Sequence, residues 1–305
     1  MNKPIISIKD FNLSFGSKKI VENLSFEVQK GEIFGFLGSN GSGKTTTIRA
    51  LLGIYQADSG ELLINGKKFS PENGAKIGYL PEERGLYKKE TVIDTMVYFA
   101  QLKGLSKKEA LENSMKFLKR VGLEDKAKLK IEKLSGGQQQ KIQLGITIIG
   151  RPDLLILDEP TKGFDPVNRE LLMEIIKEEN ARGATVIMIT HQMEEVEKIC
   201  DRAILLKDGK CEAYGKVDEI REEYGEKRIV LEFSGKLPKS SKYEITKEEK
   251  NYAELSPKAD SQEILRDLVT QNDLTISSFN VQTSTLNEIF LKIYGDQNET
   301  EAKNV

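Results

Sequence analysis

The chain has 305 residues, with 46 Lys+Arg against 48 Asp+Glu, one His, two Cys and a formal net charge of −2. That length holds one large domain and a smaller one, and the balanced charge offers no field of the kind that gathers nucleic acid, so no nucleic-acid partner is expected. Two cysteines, Cys200 and Cys211, are too few for a disulfide framework and read as reduced, partly buried thiols of a cytosolic protein; the first apolar run is too short for a signal peptide, and no stretch approaches the roughly 18 apolar residues of a membrane span.

From the N-terminus, apolar residues alternate at Ile6, Ile8, Phe11, Leu13 and Phe15, and residues 20–28 repeat the pattern more loosely. This predicts an antiparallel layer, which residues 59–67 continue up to the Asn65-Gly66 turn. Between them, residues 33–37 form a short apolar strand suited to burial on both faces. The strand runs directly into Gly38, Ser39, Asn40, Gly41, Ser42, Gly43, Lys44 and Thr45, which fill every position of the G-x-x-x-x-G-K-[ST] phosphate-binding loop, with Thr46 opening the helix beyond. Glycines let the loop curl so that its N–H groups point at phosphate oxygens, and the helix N-terminus adds about half a positive charge. Lys44 is expected to reach the β- and γ-phosphates and Thr45 a Mg²⁺ ion.

A strand at residues 77–80 ends at Pro81-Glu82-Glu83. Residues 91–130 then read as helical, with Thr91/Asp94 and Ser106/Glu109 at capping-box spacing and stops at Gly104 and Gly122. This predicts an inserted helical subdomain at about 85–150. Leu134-Ser135-Gly136-Gly137-Gln138 opens another helix, and the buried strand 154–157 ends in Asp158-Glu159-Pro160. Two adjacent carboxylates after a wholly apolar strand are costly without a cation. Asp165-Pro166 starts a long helix in the order N-cap, then proline; a third buried strand, 184–190, ends at His191, and a hairpin turns at Asp208-Gly209. Past Tyr224 the sequence becomes more charged, with weaker strands and two amphipathic helices carrying Ile264, Leu265 and Leu268, then Ile289, Phe290 and Ile293. The expected division is a domain over 1–223 and a small α+β domain over 224–305.

The phosphate loop, the run Leu134-Ser135-Gly136-Gly137-Gln138-Gln139-Gln140-Lys141, Asp158-Glu159 and His191, in this order, resemble the ATP-binding cassette (ABC) ATPases over Ile6 to about Tyr214. The resemblance implies an α/β P-loop NTPase of the ABC type, with a parallel-sheet core, an antiparallel β subdomain and an inserted helical subdomain. It implies ATP and Mg²⁺ as ligands and a head-to-tail pair with a second ABC subunit, in which Ser135, Gly136, Gly137 and Gln138 face the partner's ATP. It also implies an integral-membrane permease as partner, hence a cytoplasmic protein peripheral on the inner face of the cell membrane. Glu159 would be the general base and Asp158 would hold Mg²⁺ through water. His191 would contact the γ-phosphate, and Gly163-Phe164-Asp165 would be the loop through which subunits sense each other. Phe15 stands where a tyrosine usually stacks on adenine, and Glu82 where a glutamine usually meets Mg²⁺. Residues 81–87 and 284–290 resemble the branch serving sodium and drug exporters, whose direction of transport is outward. Soluble relatives that act in translation or DNA repair usually carry two cassettes or a long coiled-coil insertion, and this sequence has neither.

Overall fold

A computed structural model describes residues 3–301 apart from 75, 84 and 272. The chain divides into two compact units, Met1–Val217 and Asp218–Val305.

The first unit begins with β1 (Ile6–Phe15) and β2 (Lys18–Val28), joined through Gly16 at φ 59°. Next come β3 (Ile33–Gly38), α1 (Lys44–Leu51), β4 (Ser59–Ile64), the short α2 (Pro71–Gly74) and β5 (Ile77–Leu80). Strands β2, β1 and β4 form the expected antiparallel layer, with Ile6 opposite both Val28 and Ile64. Asn65 and Gly66 both have positive φ, the geometry the sequence pair favours. The helical insertion follows as α3 (Val92–Leu102), α4 (Lys107–Arg120) and α5 (Gly136–Ile148). After it come β6 (Leu154–Asp158), α6 (Pro166–Ala181), β7 (Thr185–Thr190), α7 (Met193–Ile199), β8 (Arg202–Lys207) and β9 (Lys210–Lys216). The second sheet runs β5-β6-β7-β3-β8-β9, parallel except for the β8/β9 hairpin.

Strand β3 is flanked on both sides and all six of its residues are buried, so it reads as a continuous apolar run and not as an alternation. Phe26 of β2 lies 5.7 Å from Phe34 and 5.4 Å from Phe36, joining the antiparallel layer to the parallel sheet in one core that also takes in Ile48 and Leu51 of α1. The phosphate loop therefore emerges from the most constrained strand of the unit.

The helix starts follow their caps. Ser106 and Glu109 make the complete reciprocal box. At Thr91 only half of it forms: Thr91 Oγ1 accepts from the Asp94 amide, but the Asp94 carboxylate meets the Thr91 hydroxyl at 2.6 Å. Aspartate is one methylene shorter than the glutamate that closes such a box. Asp165 caps α6, with Pro166 at its first turn. The sequence patterns did not predict α7. Cys200 is buried, whereas Cys211 is exposed, which departs from the expected partial burial of both.

The second unit contains α8 (Val217–Tyr224) from Asp218 onward, β10 (Lys227–Gly235), β11 (Tyr243–Glu249), β12 (Tyr252–Pro257), α9 (Ser261–Val269), β13 (Leu274–Thr283) and α10 (Leu286–Glu301). Its antiparallel sheet, ordered β11-β12-β10-β13, packs Ile229, Leu231, Phe233 and Leu255 with Ile264 and Leu268 of α9 in a core of its own. Ile289 is buried too, while Leu265, Phe290 and Ile293 are partly covered.

Packing within the helical insertion depends on Gly145 of α5. A Cβ there would lie 2.4 Å from Phe117 of α4 and 2.9 Å from the Met96 Sδ-methyl of α3. Gly145→Ala should therefore cost about 1–3 kcal/mol through overpacking, read as a lower thermal midpoint; an unchanged midpoint would show that Phe117 is free to yield.

Candidate functional site: the phosphate-loop cleft

A cleft of about 380 Å³ is lined by Phe15, Lys18, Ile20, Asn40, Gly41, Gly43, Lys44, Thr45, Thr46, Glu82, Asp158 and Glu159. Residues from the antiparallel layer, the phosphate loop, the β5 end and the β6 end thus meet at one place. They do so because β3, β5 and β6 belong to one parallel sheet and all deliver their C-terminal ends to the same edge, where open α/β sheets bind ligands.

Three glycines of the loop, Gly38, Gly41 and Gly43, have positive φ, and at two of them a Cβ would also clash. At Gly38, φ is 152° and a Cβ would sit 2.5 Å from the Leu206 carbonyl and 2.4 Å from Ser42 Oγ. At Gly43, φ is 99° and a Cβ would press on the Ile20 carbonyl at 3.0 Å. Lys44 is buried, and its Nζ donates to the Gly38 and Ser39 carbonyls at 2.9 and 2.8 Å. The ammonium is thus folded onto the loop that would cradle a phosphate. Burial pushes its pKa down, against the attraction of Glu159, Asp158 and Glu82. Ser42 Oγ is buried with no protein partner.

Opposite Lys44, the Thr45 hydroxyl donates to Asp158 Oδ2 at 2.9 Å. Asp158 is 1% exposed, and burial first, then the Glu82 and Glu159 charges, push its pKa up to about 6 against the Thr45 bond and Lys44. Glu159 takes φ 48°, rare for a residue with a Cβ, and its amide is tied to the Ile189 carbonyl at 2.8 Å. Its Oε1 is 2.8 Å from His191 Nδ1, while its Oε2 is buried with no protein partner. A carboxylate only accepts, so this contact is a hydrogen bond when His191 Nδ1 carries the proton, and the His191 ring is exposed. The unpartnered carboxylate oxygen can accept a hydrogen bond from a water or ligand.

Thr45, Asp158 and Glu82 are all hard oxygen donors, the set Mg²⁺ prefers when substrate phosphates and waters complete its shell. Thr45 Oγ1 and Asp158 Oδ2, 2.9 Å apart, are spaced as two adjacent ligands of one octahedral cation would be. Among the described residues no three His, Cys, Asp or Glu side chains cluster as a metal site, and a phosphate-bound Mg²⁺ needs no such cluster.

Phe15 is 49% exposed at the cleft mouth, with Tyr55 edge-on to it at 5.2 Å and 80°. One face can thus take a base, worth about 1–3 kcal/mol by stacking. Ser135, Gly136, Gly137 and Gln138 stand apart from this cleft lining. Ser135 is exposed; its Oγ accepts from the Gln138 amide at 3.3 Å and its own amide donates to Gln138 Oε1 at 3.0 Å, a complete capping box at the start of α5. Within one chain, then, the sequence-predicted residues fall into two groups.

Several neighbours of the cleft carry no sequence signal. Gln143 of α5 donates to the Pro81 and Glu83 carbonyls at 3.3 and 3.2 Å, on either side of Glu82. Lys162 Nζ is 2.6 Å from Glu82 Oε1. Buried Glu195 accepts from Thr161 Oγ1 at 3.1 Å, and Gln192 Nε2 donates to the same hydroxyl at 3.3 Å. Lys18 and Ile20 were hidden in an ordinary strand pattern.

A carboxyl group whose pKa is raised favours the fold below its ordinary value near 3.8 and loses that contribution as pH rises through about 6. Nucleotide-free Asp158→Asn should therefore melt higher than the parent at pH 8, by up to about 3 kcal/mol of stability. The gain should fade toward pH 4. Equal midpoints at pH 8 would show that the ionised carboxylate is not a burden on the fold.

Residues 21–162 match the ABC transporter family, and residues 215–294 match the ATP-binding protein DrrA1-3-like C-terminal domain. An uncharacterized ABC transporter ATP-binding protein of Bacillus subtilis, YhaQ, is 36% identical over 95% of this chain and 99% of its own length. The linearmycin resistance ATP-binding protein LnrL of the same organism is 38% identical over 76% of each chain. Among solved structures, an ATP-binding subunit of an ABC transporter superposes with a TM-score of 0.68 at 29% identity, over 72% of this chain and 93% of the other. Fold, motif order and relatives agree: the chain belongs to the ABC transporter ATP-binding proteins and is an ATPase subunit of that family.

Proposed function

We propose that this subunit binds and hydrolyses Mg²⁺-ATP in the phosphate-loop cleft and powers a separate membrane permease of the exporter type through ATP-driven pairing of two subunits. The observation that carries the reading is the split of the motifs: Lys44, Thr45, Asp158 and Glu159 converge, while the Ser135 helix start presents itself elsewhere. An exposed helix N-terminus with a serine cap is an anion site awaiting a ligand held by another molecule. Two chains arranged head to tail would each complete the other's nucleotide site.

In this reading the loop amides and Lys44 grip the phosphates, Phe15 stacks on the base, and Thr45, Asp158 and Glu82 hold Mg²⁺, which supplies charge neutralisation at the β- and γ-phosphates. Glu159 takes a proton from the attacking water, a contribution of about 10²–10⁴-fold. His191, held by Glu159, is within the same constellation and would turn to the γ-phosphate side as the site fills. The similarity to a linearmycin resistance protein and the DrrA1-3-like C-terminal match support export.

No helix among the described residues is long and apolar enough to cross a membrane, so the permease would be another chain, and this one would sit on the cytoplasmic face of the cell membrane through it. A groove of about 340 Å³ lined by Tyr87, Glu90, Asp94, Thr95 and Tyr98, just beyond the Glu82 loop, suits a helix from such a partner. Tyr87 and Tyr98 are about half exposed there, and Phe99 lies under both. Aromatic side chains of this kind anchor interfaces.

Glu159→Gln should accumulate an ATP-bound dimer on size exclusion, with turnover lowered at least 10²-fold, whereas Lys44→Ala should neither bind ATP nor dimerise. Unaltered turnover in Glu159→Gln would assign the base elsewhere. Detergent extracts should yield the protein together with a multi-span membrane protein, and Tyr87→Ala/Tyr98→Ala should reduce that recovery. Isolation free of any such partner would remove the transport reading.

A further inference from the structure

Glu82 poses an electrostatic problem. With Asp158 and Glu159 it places a third carboxylate on the cleft wall, in a site built for a polyanion. Its backbone cannot swing away easily, because Gln143 grips the carbonyls of both neighbours, Pro81 and Glu83. The Glu82 charge is felt by Lys44 and Asp158 alike. Opposite it stands Lys162, whose Nζ is 2.6 Å from Glu82 Oε1 and whose amide donates to the Glu159 carbonyl at 3.1 Å. The lysine is therefore planted on the turn that leaves the Asp158-Glu159 strand end, 80 residues from its partner.

We propose that Lys162 is a positioning residue that supplies the counter-charge for Glu82, so that the cleft accepts a nucleoside triphosphate despite its third carboxylate. The pair is 61% and 41% exposed at its side chains, and surface pairs of that kind add little to fold stability. Its effect belongs instead to the ligand: removing Lys162 leaves Glu82 at the cleft with no other ion-pair partner among the described residues. With the water-like screening that suits an exposed pair, one such charge changes anion affinity roughly threefold to tenfold.

This rests on reading the cleft as the ATP site, and the experiment separates the two. Equilibrium binding of fluorescent mant-ATP is measured in EDTA, where no metal engages Glu82, at low and at high salt. Lys162→Ala should weaken binding roughly threefold to tenfold at low salt, with a smaller loss at high salt. Lys162→Arg should retain binding, and Glu82→Gln added to Lys162→Ala should restore it. Thermal midpoints of all variants, read alongside, show that the loss is not unfolding. Parent-like affinity in Lys162→Ala, or a loss that Glu82→Gln does not recover, overturns the proposal while leaving the ATP site intact, provided Lys44→Ala abolishes binding. Binding that is absent in the parent, or indifferent to Lys44→Ala, overturns the ATP-site reading and this proposal with it.

Discussion

Everything around the phosphate loop answers to one constraint: negative charge must be concentrated where more negative charge has to bind. Asp158 and Glu159 are 1% and 6% exposed at the end of an apolar strand, a position that water cannot relieve. Burial raises the pKa of Asp158, and the only buried cation nearby among the described residues, Lys44, is pulled down by the same burial. The arrangement is locally unfavourable and is held by the surrounding sheet. Strand β3 is fixed between β7 and β8, β6 between β5 and β7, and the strained backbone of Glu159 is tied across to Ile189. Strain and unmet charge at one sheet edge, imposed by a well-packed core, is the pattern expected of a site prepared for a ligand.

Helix α5 links the two halves of the proposed mechanism. Its first turn carries Ser135 and Gln138, and two turns further Gln143 grips the loop that bears Glu82. Gly137 lies against Phe164, whose segment follows directly from Glu159 and Lys162. Helix α5 thus touches both the carbonyls on either side of Glu82 and the turn after Glu159. The groove at Tyr87 and Tyr98 begins where that same loop ends, which gives a proposed permease contact a short physical route to the cleft.

The elements that were legible in the sequence are those whose signals are local. The loop from Gly38 to Thr45 needs glycine at φ values a side chain resists and a Lys-Thr pair at the helix start, and these are fixed by a few adjacent positions. Ser106/Glu109, Ser135/Gln138 and Asp165-Pro166 announced their helices for the same reason. Thr91/Asp94 looked equivalent and made only half the box, because spacing does not measure side-chain reach. The unanticipated α7 is only Met193–Ile199, and its buried Met193, Glu195, Val196 and Ile199 fit their places through long-range packing, which no short pattern records.

What the sequence determined by itself is the chemistry available: a phosphate loop, a carboxylate pair after an apolar strand, a single histidine, a serine-capped glycine turn, and the family these belong to. What only the tertiary structure decided is which of them meet. Glu82 and Lys162 are 80 residues apart, Thr45 and Asp158 113, and His191 and Glu159 32. Each pair is brought together by strand order in the parallel sheet or by a loop laid over its edge. Strand order is set by burial summed over the whole core, so it lies outside the reach of any local motif. The same summation left Ser135 outside the cleft lining, a separation invisible in one dimension.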